Sequence, residues 1–280
     1  MKIGPYTLHP IEAGTFGLDG GAMFGIVPKP LWSKTNPPDE QNRIELAMRC
    51  LLLKSDDRIV LIDNGGGNKY TDKQKNIYKF EDSLRSLFQS LGSAGVDRTD
   101  VTDMILTHLH FDHAGGTTMY ENGRLVPTFP NARYYVQKAH WEHAHNPTDR
   151  DRGSFLKQDF ELLSEINSFE LIDGPGEILP GIDVVVTNGH TTAQQLPVIS
   201  DSENTVFYCC DLVPTASHIP YPYIMGYDIR PLETLKDKKL YLPKAYDEGW
   251  ILFFEHDPAI VAAKLGKTDK GFILGESFSI

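Results

Sequence analysis

The feature that most constrains this chain is a series of short apolar runs that end near a histidine or an aspartate. Val60-Leu61-Ile62 closes on Asp63, Asp103 to Thr107 runs into His108, Asp183 to Thr187 leads to His190, Thr205 to Cys210 to Asp211, and Ile251 to Glu255 to His256. Runs of this length, rich in Ile, Val, Leu and Phe, predict buried strands. Ala47 to Leu53 and Arg58 to Asp63 form a hairpin about the polar turn Lys54-Ser55-Asp56-Asp57. Glu81 to Leu91 places Leu84, Leu87, Phe88 and Leu91 on one face of an amphipathic helix, with Gly92 as its stop. Strand-like Arg133 to Val136 and a helix from Phe155 to Ile166 continue the alternation of an α/β protein. The Gly-rich stretch Gly14 to Pro30 reads as a loop carrying Phe16, Met23 and Phe24, with Trp32 just beyond. No repeat or Pro/Ser/Gly-rich linker interrupts the chain, so residues 1–280 read as a single domain.

Composition removes several classes of function. A net charge of −11 offers no field for a phosphate backbone, which argues against a nucleic-acid partner. No apolar run approaches the ~20 residues a bilayer demands, and Met1 to Pro10 lacks the core of a signal peptide. The expectation is a soluble, unprocessed, cytoplasmic chain with no membrane partner. Cys50, Cys209 and Cys210 are odd in number and two are adjacent, which fits a reducing compartment better than a disulfide framework.

Thr107-His108-Leu109-His110-Phe111-Asp112-His113 packs three histidines and an aspartate into six positions after a predicted strand. In extended backbone His108 and His110 share one side and Leu109 and Phe111 the other, so two imidazoles can share one ion. Asp112 and His113 lie at the following turn, where they can serve a second ion, and His190, Asp211 and His256 complete the donors, with Asp211 bridging. Imidazole and carboxylate without thiolate suit Zn²⁺ first, and also Fe, Mn or Co. His140, His143 and His145 read as a wet helix face, His9 as structural, and Cys209 and Cys210 as small core residues.

With these residues in place, the chain resembles the metallo-β-lactamase-fold hydrolases. Their HxHxDH signature stands intact at His108, His110, Asp112 and His113, followed by Gly189-His190-Thr191, Cys210-Asp211 and Glu255-His256-Asp257. Within them it is similar to the quorum-quenching lactonase branch (YtnP-type), through Asp19 to Lys34, Phe129 to Arg133 and Gly226-Tyr227-Asp228. The resemblance implies a four-layer αβ/βα sandwich, two divalent metals, a homodimer, and a second role for Asp63, orienting a ligand imidazole. It implies hydrolysis of N-acyl-homoserine lactones or related apolar-tailed lactones by a metal-bridging hydroxide, with Asp112 passing a proton to the leaving alkoxide. An arylesterase or phosphotriesterase-like hydrolase is the alternative. A glyoxalase-II-type thioesterase and a mononuclear-iron sulfur dioxygenase rank lower, because the segment after His256 is short and mononuclear iron would leave Asp112, His113 and His256 idle. The small-molecule substrate would meet Met23, Phe24, Phe111 and His218. Leu212 to Thr215 follow Asp211 where such lactonases carry a substrate-contacting tyrosine; ordinary loop packing is the first reading of His218, Tyr221 and Tyr223, and an equivalent polar contact from one of them the second.

Overall fold

The computed structural model describes residues 1–80, 82–165 and 169–280. The chain divides into two compact units, Met1–Thr15 with Met48–Gly174, and Phe16–Ala47 with Pro175–Ile280. Among the described residues no helix is long and apolar enough to cross a membrane.

The first unit is organised by the seven-stranded sheet that runs in the order Lys2–Ile3, Tyr6–Asp19, Arg43–Lys54, Ile59–Ile62, Asp103–Ile105, Arg133–Gln137, Phe169–Ile172. The predicted hairpin is there, with Leu51 opposite Ile62 and Lys54 opposite Ile59. Parallel pairing follows, Val60 to Asp103 and Ile105 to Tyr135. Val60, Leu61 and Ile62 are buried in succession, as befits a strand covered on both faces. Both parallel strands deliver chemistry at their carboxyl ends: Ile62 hands over to Asp63, and Ile105 to the segment containing His108.

The helix predicted from Glu81 is observed at Ser83–Ser93, with Asp82 accepting the Arg85 amide and Glu81 itself outside the described residues. Leu84, Leu87 and Leu91 are buried while Phe88 is part-exposed. Gly92 does not stop the helix; the chain turns at Gly95, whose φ of +69° is left-handed. The single helix expected from Phe155 is instead two short pieces, Lys157–Phe160 and Glu161–Glu165, with a separate turn at Arg152–Ser154 before them. Phe155 and Leu156 adopt extended backbone, because the Phe155 ring is drawn against His140 and His110, and Ile166 lies outside the described residues. A hairpin not anticipated, Thr118–Glu121 with Arg124–Pro127, turns through Asn122 and Gly123, both at positive φ.

The second unit carries the other seven-stranded sheet, in the order Gly176–Leu179, Ile182–Thr187, Gln194–Ser200, Thr205–Tyr208, Ile251–Phe253, Ala262–Thr268, Gly271–Phe278. Thr205–Tyr208 and Ile251–Phe253 are parallel, and the crossover between them contains the helix Pro231–Asp247. That helix buries Thr234, Lys238, Leu242 and Ala245, a stripe at helical spacing. The stretch Gly14–Pro30 is not a loop. Tyr6–Asp19 continues as strand, Asp19 caps the helix Gly20–Phe24 by accepting the Ala22 amide, and Lys29–Trp32 is a further turn of helix. The reason is burial: Phe16, Met23, Phe24 and Trp32 are each no more than 2% exposed, so their backbone must form regular hydrogen bonds.

The backbone of residues 64–67 lies against the turn that carries the histidine motif. The Asn64 amide donates to the His113 carbonyl at 2.9 Å and the Gly116 amide to the Gly65 carbonyl at 3.0 Å. A Cβ on Gly67, which sits at φ +69°, would lie 2.1 Å from the Gly115 oxygen. Gly67→Ala should therefore destabilise by roughly 2–4 kcal/mol. Gly92→Ala meets nothing within 4 Å and should stabilise by about 0.5–1 kcal/mol. Urea unfolding of the two variants checks both signs.

Candidate metal centre

In the first unit the motif is a bend followed by the short helix Phe111–Ala114, with His110 at its N-cap. His108 and His113 are fully buried, and His110 and Asp112 are 7% and 8% exposed. His108 Nε2 lies 3.0 Å from His110 Nδ1, and His113 Nε2 lies 3.7 Å from Asp112 Oδ2. Asp63 fixes this arrangement. Its Oδ1 accepts the Thr107 amide at 2.8 Å, and its Oδ2 accepts the Thr107 hydroxyl at 2.6 Å and faces His113 Nδ1 at 3.2 Å. Since Asp63 only accepts, His113 donates from Nδ1 and keeps its Nε2 lone pair for an ion. The Thr107 hydroxyl, its proton given to Asp63, accepts from His108 Nδ1 at 3.1 Å, and His108 Nε2 is likewise left as a ligand atom.

The other flank of the bend is held by His140, whose Nε2 accepts the Leu109 amide at 2.8 Å. His140 is 1% exposed, so it is a buried brace and not part of a wet helix face. His143 pairs with Asp151 at 2.6 Å, and His145 Nδ1 with the Trp141 carbonyl. Lys69, as buried as its partner Asp159 at 3.2 Å, donates to the Gly115 and Thr118 carbonyls. Burial pushes the Asp159 carboxyl up to about 7 against the pull of Lys69. Phe111 sits among Tyr70, Tyr78 and Phe80, with Tyr78 5.1 Å away between ring centres. Burial, and then the Asp112 carboxylate, raise the Tyr78 phenol above its ordinary value.

In the second unit three strand ends supply the donors. His190 follows Ile182–Thr187, Asp211 lies in the turn Cys210–Leu212 beyond Tyr208, and His256 follows Ile251–Phe253. Asp211 turns one oxygen to each imidazole, Oδ2 at 3.0 Å from His190 Nε2 and Oδ1 at 3.3 Å from His256 Nε2. Each Nδ1 is tied down on its other side: His190 to Asp228 Oδ1 at 3.0 Å, His256 to the Ala47 carbonyl at 2.8 Å. Asp228 is held in turn by the Thr234 hydroxyl at 2.6 Å. Burial opposes a charge on His190, but Asp211 and then Asp228 overturn it and raise the imidazole to about 10.

The pocket candidates are found in packed surroundings. Phe24 stacks between Trp32 at 5.3 Å and His218 at 4.5 Å, and Met23 is 1% exposed. Both ring nitrogens of His218 are engaged: Nε2 donates to the Met23 carbonyl at 2.9 Å and Nδ1 accepts from the Thr215 hydroxyl at 2.8 Å. Burial holds it neutral, with its pKa lowered to about 3. Tyr223 meets Phe24 edge-on, and Tyr221 meets Phe272. The segment carrying these residues is anchored by Lys238, fully buried, which donates to the carbonyls of His218, Pro220 and Tyr223 at 2.6–2.9 Å. Asp228, His140, Lys69 and Lys238 were not assigned roles from sequence. Asp228 alone had a signal, its place in Gly226-Tyr227-Asp228. Cys209 and Cys210 are buried, and no disulfide is present among the described residues.

Two measurements follow from these anchors. Asp228→Asn and Asp63→Asn should each weaken metal affinity roughly 10- to 100-fold in a folded protein, read by competition with a chromophoric chelator. His190 titrates at about 10 when folded against 6.5 unfolded, so its contribution to stability is complete below pH 6.5 and fades as pH rises toward 10. Chelator-treated protein should lose Tm across that window, and His190→Gln should flatten the loss.

The chain has relatives among known proteins. The sequence profile of the Metallo-beta-lactamase superfamily matches residues 47–256. An N-acyl homoserine lactonase from a Bacillus species is 27% identical over 230 residues, covering 76% of this chain and 82% of its own. The crystal structure of a probable metal-dependent hydrolase from Staphylococcus aureus superposes with a TM-score of 0.87 at 29% identity, covering all of both chains. A dizinc quorum-quenching lactonase in complex with a product superposes at 0.82 with 20% identity, covering 100% of this chain and 97% of that one. With its mixed α/β architecture and its profile match over most of its length, the chain belongs to the metallo-β-lactamase superfamily of metal-dependent hydrolases.

Proposed function

We propose that this chain is a dinuclear-metal-dependent lactonase that opens N-acyl-homoserine lactones or related lactones with an apolar tail. The observation that carries the reading is the Asp211 carboxylate, whose two oxygens face two different imidazoles, each with its remote nitrogen already bonded. That is how a bridging carboxylate and two oriented nitrogen ligands are prepared. The donor chemistry fits a pair of divalent ions, zinc first, with Fe, Mn or Co sharing the same preferences. His108, His110, Asp112, His113, His190, Asp211 and His256 would hold them. When bound, the pair would supply Lewis acidity to an ester carbonyl and make water acidic enough to react near neutral pH.

The chain's own residues do the rest. Asp63 and Asp228 keep His113 and His190 in one tautomer and one orientation. Asp112, buried beside His113, carries a proton from the attacking water to the oxygen that leaves the ring. The aromatic group about Phe111 gives an acyl chain an apolar surface and keeps bulk water off the reacting carbon. Lactonase names among the relatives support the substrate class. On this reading residues 1–280 act as one catalytic domain, in the cytoplasm, as a homodimer.

The test is acid production on adding a long-chain N-acyl-homoserine lactone to zinc-reconstituted protein at neutral pH, with His110→Ala as the blank. A kcat/KM above ~10⁴ M⁻¹s⁻¹ is expected. Asp112→Asn, with two metals still bound per chain, should lose ~10²–10⁴ in kcat. No turnover by the metal-loaded wild type would overturn the lactone assignment and transfer the search to aryl esters and phosphotriesters.

A further inference from the structure

The segment from Tyr70 to Phe80 lies beside the histidine motif and is held there by aromatic contacts. Tyr70 stacks on Phe80 at 4.0 Å and spends its hydroxyl on the Phe111 carbonyl at 3.0 Å. Between them the helix Asp72–Tyr78 opens with a Thr71/Gln74 capping box and closes at Lys79, in left-handed backbone. None of its residues is fully buried. It meets the motif through its last residue, the part-buried Tyr78, whose ring lies 5.1 Å from Phe111 and 5.8 Å from Phe80. Phe111 is the residue before Asp112, on the same turn of helix.

The two tyrosines differ at their hydroxyls. That of Tyr70 is bonded to backbone, while that of Tyr78 has no hydrogen-bond partner among the described residues. Tyr78 is part-buried and its hydroxyl is not among the buried unbonded polar atoms, so this group stays open to a molecule arriving beside the motif, while its ring is held by Phe111 and Phe80. The geometry points to Tyr78 as a further residue of the reaction: its phenol donates a hydrogen bond to the leaving oxygen of an ester whose reacting end is held beside Asp112. This rests on the proposed hydrolase reading and deepens it. As the acyl C–O bond breaks, its electron pair passes to the leaving oxygen, and a hydrogen bond to a developing anion is much stronger than one to a neutral ester. The phenol keeps its proton; the proton that completes the alcohol comes from the attacking water by way of Asp112.

Tyr78→Phe keeps the ring and removes only the hydroxyl. The readout is kcat/KM across esters of one acid whose leaving groups run from nitrophenol to a simple alkyl alcohol, with an N-acyl-homoserine lactone at the alkyl end. Nitrophenolate needs no stabilisation, so the variant should match wild type there within about twofold, and fall ~10- to 100-fold at the alkyl end. The plot against leaving-group pKa should steepen while metal content and Tm stay unchanged. A parallel loss across the series, no loss at all, or a loss of metal or Tm would overturn the assignment. Should Tyr78→Phe fail to fold, Tyr78→Trp, which keeps a flat ring without the phenol, takes its place. Failure of the wild type to open the lactone would strike the proposed substrate and leave the slope comparison intact on the remaining esters.

Discussion

A carboxylate with no solvent around it persists only when donors surround it, and Asp63 has three, the Thr107 amide, the Thr107 hydroxyl and His113, with both of its oxygens engaged. The first half of the candidate site depends on this one group. It sets the tautomer of His113 directly and that of His108 through the Thr107 hydroxyl, and it pins the bend in which both are carried. Asp228 repeats the logic in the second unit, where it fixes His190 and is fixed by Thr234. His108 and His113 then offer a lone pair from Nε2, while His190, held protonated between Asp211 and Asp228, offers one on giving up its Nε2 proton; in each case the ring is oriented before any ligand arrives.

The same places carry backbone strain. Asp63, Ala193 and Cys210 are non-glycine residues at φ of 57°, 52° and 44°, and each lies within three residues of a candidate ligand or is itself an anchor of one. Left-handed backbone costs such residues of the order of 1 kcal/mol each. At Ala193 the amide is compensated by the Asn188 side chain, and at Asp63 by the Ile105 carbonyl. Cys210 places the turn that lets Asp211 direct one oxygen to each neighbouring imidazole. Strain of this kind persists where the surroundings dictate a direction for the side chain.

What the sequence disclosed and what it concealed divide along physical lines. The ligand motif, the hairpin and the strand ends were legible because their signals are local: a period of two, a polar turn, a donor at the end of an apolar run. The helix Pro231–Asp247 was passed over because its buried stripe includes Thr234 and Lys238 and its interior holds Pro243, all of which break an apolar periodicity. Residues 14–30 suggest a loop by their glycines, whereas Phe16 and Phe24 find ring partners far along the chain, at His256 and His218. His140 looked solvated because nothing local reveals that its acceptor nitrogen serves Leu109, 31 residues earlier. The Asn122-Gly123 pair was a readable turn signal, and the hairpin about it obeys that signal.

Irregular loops near a site present carbonyls that no sheet or helix can satisfy, and both units meet this with a buried lysine. Lys69 donates to Gly115 and Thr118, and Lys238 to His218, Pro220 and Tyr223. An ammonium has three protons to give and no lone pair to waste, so it can close three carbonyls at once. Burial penalises it, lowering Lys238 to about 7 against the attraction of Asp228. That attraction is also why the position tolerates a lysine: the Asp228 carboxylate makes a buried positive charge less costly there. In the second unit one carboxylate, Asp228, thus serves both the imidazole of His190 and the lysine that closes the neighbouring carbonyls.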